Sequence, residues 1–333
     1  MRILILTVLI FAGTIVSACT TFSFTGKNGN IVFGRNFDFP IGTGHIEINK
    51  RNMRKTAFVK PPEKALVWVS KYGSITFNQI GKEFPYGGMN EAGLVIEQMW
   101  LQDVQYPVPD SRYELSALQW IQYQLDNAAT VEEVIASDTL IRISADDVAK
   151  LHFLVADANG KVASIEFLSG KMVIHTGKDF PYQVLANCTY DNSLEYKKSI
   201  DRKENRQFSP WTENSSGRFV KAATLIENYH QQKNIVDYSF DILDSVAQPG
   251  STQWSIVYDI TNRIIRFKTK ENTTVQTLEI KDFDFSCDGP DIYAAISDTV
   301  TDENSFREYS YDANYNLQEY VVSHVDFLKN SVP

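Results

Sequence analysis

Short runs with a two-residue period, joined in pairs by tight-turn signals, constrain this chain more than any other feature. CTTFSFT, residues 19 to 25, alternates polar and aromatic positions; Asn-Gly follows at 28 and 29, and IVFGRNFDFP completes a hairpin. LHFLVAD, KVASIEFL and KMVIHTG form a meander from about 151 to 177, with Ala-Asn-Gly and Ser-Gly at the joins. WSIVYDI and RIIRFKT, separated by Thr-Asn, repeat the pairing over 254 to 269. Strands joined by such short turns pair antiparallel.

Helical periods lie between these groups. ELSALQWIQYQLDNA, residues 114 to 128, has apolar residues three and four apart, and TVEEVIA carries Thr130 and Glu133 at capping-box spacing. RFVKAATLIENYHQQ follows Ser216, and FDILDSVA follows Ser239. Antiparallel strand groups with inserted helix pairs, and no regular βαβα alternation, point to an α+β layered fold. The polar stretch 189–217 reads as a surface excursion. No repeat or linker interrupts the chain, so a single domain over residues 19–333 is expected.

The first 18 residues read differently. One positive charge at Arg2, the apolar run 3–16 and the small Ser17-Ala18 before Cys19 form the pattern of a secretory signal. The run is shorter than the roughly 20 apolar residues that a membrane-spanning helix needs. Export to the periplasm or beyond, with removal of residues 1–18, is the expectation. Taking 18 from 333 residues leaves 315, and losing Arg2 moves the net charge from −9 to −10. An acidic chain without a basic cluster is poorly matched to nucleic acid. Three cysteines would remain, Cys19, Cys188 and Cys287. An odd count marks one thiol as special, and Cys188 with Cys287 is a candidate disulfide.

Val16-Ser17-Ala18-Cys19 fits two kinds of processing. One leaves Cys19 as a free first residue; the other is a lipobox, in which lipid consumes both the thiol and the amine. A lipid-anchored Cys usually leads into a polar tether, whereas here strand alternation starts at once, which ties the terminus into a sheet. A free N-terminal Cys offers a thiol titrating at about 8.5 beside an α-amine at roughly 7.7–8.0. One residue then supplies nucleophile and general base. The hairpin returns Arg35 and Asp38 toward that terminus, Arg35 to favour the thiolate and Asp38 to hold the amine. A surface ion pair is the ordinary alternative for these two.

C-T-T at a processed terminus, GRNFDF with its arginine sixteen residues on, GMNEAGL at 88–94, VLANCTY at 184–190 and GRF at 217–219 occur in the order of one family. From Cys19 to about Phe267 the chain resembles the choloylglycine hydrolase and penicillin V acylase family of N-terminal nucleophile hydrolases. The resemblance implies a four-layer αββα sandwich of two antiparallel sheets and hydrolysis of a linear amide through an acyl-thioester, with no cofactor. It implies Cys19 as nucleophile, Arg35 beside the thiol, Asp38 at the α-amine, Asn187 as oxyanion donor and Arg218 as the arginine that orders the site. Read alone, Asn187 is a turn residue after a strand, Arg218 a solvated first-turn arginine and Asn90 a turn former.

Two positions depart from the family pattern. Trp100 stands where bile salt hydrolases carry a second oxyanion asparagine and penicillin acylases often a tyrosine; its indole can bind substrate or pack in the core. Gly87 replaces the aspartate usual before Gly-Met-Asn. The 189–217 stretch is shorter than in Gram-positive members, where it helps build a tetramer, so a homo-oligomer stays open. The expected partner is a small-molecule amide with a bulky apolar acyl group, such as a conjugated bile salt, a phenoxyacetyl penicillin or an N-acyl homoserine lactone. Phe39, Trp100 and Tyr106 are candidates to line its acyl pocket, or to pack. The five histidines show no ligand spacing, so no metal is expected. The alternative is an inactive lipoprotein binding module on the same scaffold, anchored at Cys19.

Overall fold

A computed structural model describes residues 19–231 and 233–325; the leader expected over residues 1–18 lies outside them. The expected hairpin is present as β1 (Thr20–Thr25) and β2 (Ile31–Asp38). It sits inside a six-stranded antiparallel sheet in the order Val184–Leu185, β1, β2, Thr252–Asp259, Ile264–Thr269, Gln276–Glu279. The meander Leu151–Ala156, Val162–Leu168 and Lys171–Thr176 forms one end of a nine-stranded antiparallel sheet. That sheet continues through Val95–Trp100, Pro85–Asn90, Ser74–Asn78 and His45–Asn49 to Ile292–Ala295 and Arg307–Glu308.

The two sheets lie face to face, and aromatic side chains from both fill the gap. Phe37 of β2 meets Tyr86 of the other sheet at 5.4 Å between ring centroids, and Phe77 meets Phe267 at 5.6 Å. Helix α1 (Ala117–Asn127) covers the outer face of the nine-stranded sheet, its Trp120 ring 4.5 Å from Phe153. The capping box predicted at Thr130 and Glu133 starts α2 (Val131–Ala136). On the six-stranded side lie α3 (Tyr190–Asp201), α4 (Pro210–Glu227) and α5 (Ile235–Val246); α6 (Tyr311–His324) follows the last strand. Helix, sheet, sheet, helix is the four-layer sandwich expected.

The stretch 189–217 lies mostly at the surface, as expected, but it is helical. It holds α3 and the first two turns of α4, because Thr189 and Ser209 are competent N-caps and Pro210 suits a first helical turn. Lys197, polar in the sequence, is buried with its ammonium on Asp201 and over the Tyr182 ring. Cys188 is buried, Cys287 is exposed and both are free, so the candidate disulfide is not formed.

Candidate active site

Both faces of β1 are covered, which explains its mixed alternation. Phe22 and Phe24 turn toward the helices, Phe24 meeting Tyr229 at 5.4 Å. Gly34 on β2 makes room for Phe22, since a Cβ there would stand 2.4 Å from the ring. Thr21 takes the opposite phase and faces the second sheet, where its hydroxyl contacts Met99 Sδ at 3.0 Å. Cys19 shares the phase of Thr21, so its thiol enters the gap between the sheets, only 2% exposed.

The arginine expected at the thiol is there. Arg35 pairs with Thr21 across the hairpin and sends Nη2 to within 3.8 Å of Cys19 Sγ. The same Nη2 donates to the Gln98 carbonyl at 3.2 Å, while Nη1 meets Glu97 Oε2 at 2.5 Å. Tyr258 donates to the other oxygen of Glu97, also at 2.5 Å. Burial pushes the Cys19 thiol up, and the Arg35 charge pulls it back. Burial likewise pushes the Glu97 carboxyl up to about 7, against the pull of Arg35 and the Tyr258 hydrogen bond.

Asp38 ends β2. Carried one step past Thr20↔Asn36, the hairpin register sets Cys19 against Phe37, and the Asp38 carbonyl lies 4.0 Å from the Cys19 sulfur. Thr252 donates to Asp38 Oδ1 at 2.5 Å and Gln248 to its Oδ2 at 2.7 Å. Burial raises its pKa, and those two donors, Arg218 and Arg35 oppose the rise.

Asn187 lies just past the edge strand that pairs with β1. Its N–H donates to Ser215 Oγ at 2.7 Å, its Nδ2 to the Trp100 carbonyl at 2.8 Å, and its Oδ1 accepts from Arg218 Nη2 at 3.1 Å. Arg218 also donates from Nε to Thr20 Oγ1 at 3.1 Å, binding α4 to the start of β1. It sits mid-helix and partly buried rather than in a solvated first turn, because α4 begins at Pro210. An open cleft of about 500 Å³ between α4 and the end of α5 carries Arg218 and Gln248 in its wall.

Other candidates are placed elsewhere. Phe39 stacks on Phe37 at 5.3 Å, and Tyr106 packs on Phe167 at 5.4 Å with its hydroxyl on the Ala149 carbonyl. Both are buried in the core. Trp100 is partly buried; its carbonyl serves Asn187 while its indole N–H donates to Gln102 at 3.3 Å. Asn90 is structural: Nδ2 donates to the carbonyls of Leu125 and Ala128, and Oδ1 accepts from Leu94 N–H, clamping the end of α1 to the 90–94 turn.

Comparison with known proteins decides the family. The description "Linear amide C-N hydrolases, choloylglycine hydrolase family" matches residues 19–293. The chain belongs to the choloylglycine hydrolase family. The match begins at Cys19. Penicillin V acylase of Pectobacterium atrosepticum is 28% identical over 264 residues, 67% of this chain and 70% of that one. The structure of penicillin V acylase from Agrobacterium tumefaciens superposes with a TM-score of 0.74 at 28% identity, covering 88% of this chain and 98% of that one. A variant of conjugated bile acid hydrolase from Clostridium perfringens gives 0.67 at 18% identity, covering 85% and 98%, and shares the fold.

Sequence reasoning missed Glu97, Tyr258, Thr252, Gln248 and Ser215, the partners that hold the expected choloylglycine hydrolase residues. One signal was available. Gly87, the noted departure, lies directly opposite Glu97, and a Cβ on it would stand 2.0 Å from Glu97 Oε2. The missing side chain at 87 is the space the Glu97 carboxylate occupies.

Proposed function

We propose that the mature protein starts at Cys19 and hydrolyses an N-acyl amide through that cysteine. The observation that carries this reading is the Cys19 sulfur at the open end of β1, beside Arg35 Nη2 and within 4.0 Å of the Asp38 carbonyl. A sulfur packed in this way suits a nucleophile better than a lipid attachment point.

The α-amine, held by Asp38, takes the thiol proton, and Arg35 steadies the thiolate. Sulfur attacks the amide carbonyl carbon; a C–S bond forms and the carbonyl oxygen becomes an oxyanion. Asn187 Nδ2 donates to it, with Arg218 fixing Oδ1 so that the amide cannot turn. The ammonium of Cys19 returns its proton to the leaving nitrogen as the C–N bond breaks. Water, deprotonated by the same amine, then attacks the thioester, breaks the C–S bond and frees the acid. Among the three substrate classes, a phenoxyacetyl penicillin takes first place, because the two relatives at 28% identity are penicillin V acylases. Trp100 is assigned to the acyl group, since its indole is only partly buried beside Asn187.

The test is made on exported, purified protein. Its intact mass should be that of a chain starting at unmodified Cys19, and it should release phenoxyacetic acid faster than it cleaves a conjugated bile salt or an N-acyl homoserine lactone. Cys19→Ser should abolish turnover of all three. A blocked or lipidated first residue, or a fully active Cys19→Ser, overturns the assignment.

A further inference from the structure

We infer that Glu97, fixed by Tyr258, is the positioning residue that aims Arg35 at the Cys19 sulfur. The inference rests on the proposed role of Cys19 and deepens it. A guanidinium is flat and rigid, so two anchored nitrogens define where the rest of it points. Glu97 Oε2 holds Nη1 at 2.5 Å, the Gln98 carbonyl holds Nη2 at 3.2 Å, and what remains of Nη2 is turned to Sγ at 3.8 Å. Adjacent residues of one strand thus set the plane of an arginine on the opposite sheet. Arg35 has few other restraints: its Nε has no hydrogen-bond partner among the described residues, and Phe37 lies 5.0 Å beneath it.

The carboxylate is itself fixed from two sides. Tyr258, fully buried on Thr252–Asp259, donates to Oε1 at 2.5 Å. Gly87, paired with Glu97, leaves open the space that Oε2 occupies. Arg35 and Glu97 are both fully buried, and such a cation needs a counter-charge to remain in place. The titratable groups around the pair are Cys19, Asp38, Tyr86 and Tyr258. Glu97 touches neither the sulfur nor a bound acyl group in this scheme and acts through Arg35.

A buried ion pair that merely joins the sheets makes a different prediction from a positioning pair. If Arg35 stays at the sulfur without Glu97, the thiol experiences more positive charge and its pKa falls. If Arg35 is released, the thiol loses its cation and its pKa rises. The sign separates the two.

The experiment uses mature protein and reads the pH dependence of Cys19 alkylation by iodoacetamide together with kcat and KM for a phenoxyacetyl amide. Glu97→Gln should raise the thiol pKa and lower kcat about a hundredfold, the scale expected for misplacement by about 1 Å, with KM changed far less. Tyr258→Phe keeps the charge and should move both readouts the same way by a smaller factor. The double variant Glu97→Gly, Gly87→Asp, which restores a carboxylate from the neighbouring strand, should recover part of kcat. A thiol pKa that falls or stays unchanged in Glu97→Gln overturns the inference. If that variant does not fold, an unchanged alkylation profile in Tyr258→Phe overturns it. A wild-type protein that alkylates at Cys19 but hydrolyses no amide defeats the functional reading instead, and the alkylation profiles still decide the role of Glu97.

Discussion

Asp38→Asn tests the residue proposed to hold the α-amine of Cys19, with almost no change of shape. In the native site, Oδ1 and Oδ2 accept from Thr252 Oγ1 and Gln248 Nε2. The Thr252 hydroxyl is meanwhile accepting from the Gln248 N–H at 2.8 Å, so it gives its own proton to Asp38. An amide at 38 must turn its NH2 toward one of these groups. Facing Gln248, two donors meet; facing Thr252, the hydroxyl loses its acceptor. A buried group left unmatched costs about 1–3 kcal/mol. At roughly 2 °C per kcal/mol for a chain of this size, Tm should fall by about 2–6 °C. The chemical loss is larger. In the proposed mechanism the Cys19 ammonium, without an anion beside it, becomes a poorly held acid at the moment the leaving amine needs a proton, and such catalysis contributes about 10²–10⁴-fold. We expect kcat to fall at least about a hundredfold while KM changes little, because in the proposed mechanism Asp38 meets the amine and not the substrate. Steady-state kinetics on a phenoxyacetyl amide and a calorimetric melt measure both. A kcat within about threefold of wild type would refute the placement of the amine at Asp38.

Three further outcomes follow from the same structure. Asn187→Ala should lower kcat by about 10²–10³, the cost of one oxyanion donor, and an effect confined to KM would remove Asn187 from that role. Burial pushes Glu47 up to about 8 from 4.5, so the folded state keeps a proton that the unfolded chain gives up. The fold therefore loses stability as pH rises from about 4.5 through about 8. Glu47→Gln, which keeps an acceptor for the Asn78 amide, should raise Tm more at pH 9 than at pH 5, and equal shifts at both would contradict the buried charge. Thr130→Ala removes the hydroxyl that caps α2 and should destabilise by about 1 kcal/mol in a denaturant titration, with no change in kcat.

Local pattern was enough for much of this protein. The period of two around Asn-Gly, Ala-Asn-Gly and Thr-Asn determined the hairpins, and the hairpin at 20–38 by itself returns Arg35 and Asp38 to Cys19. The capping box at Thr130 was equally legible, since its two hydrogen bonds join residues three apart. Helix α4 was read short because its polar first turns carry no apolar period, and its burial of Arg218 depends on β1, nearly two hundred residues away in sequence.

What only the tertiary structure decided is the set of groups that hold the site still. Glu97 reaches Arg35 across the space between two sheets, Tyr258 reaches Glu97 from a strand 161 residues further on, and Thr252 and Gln248 reach Asp38 from more than 200 residues away. Such contacts leave no periodic trace, because each is a single buried hydrogen bond between elements whose spacing is set by packing. Sequence alone determined which side chains a strand turn brings to the first cysteine; the stacking of the two sheets decided what those side chains lean on.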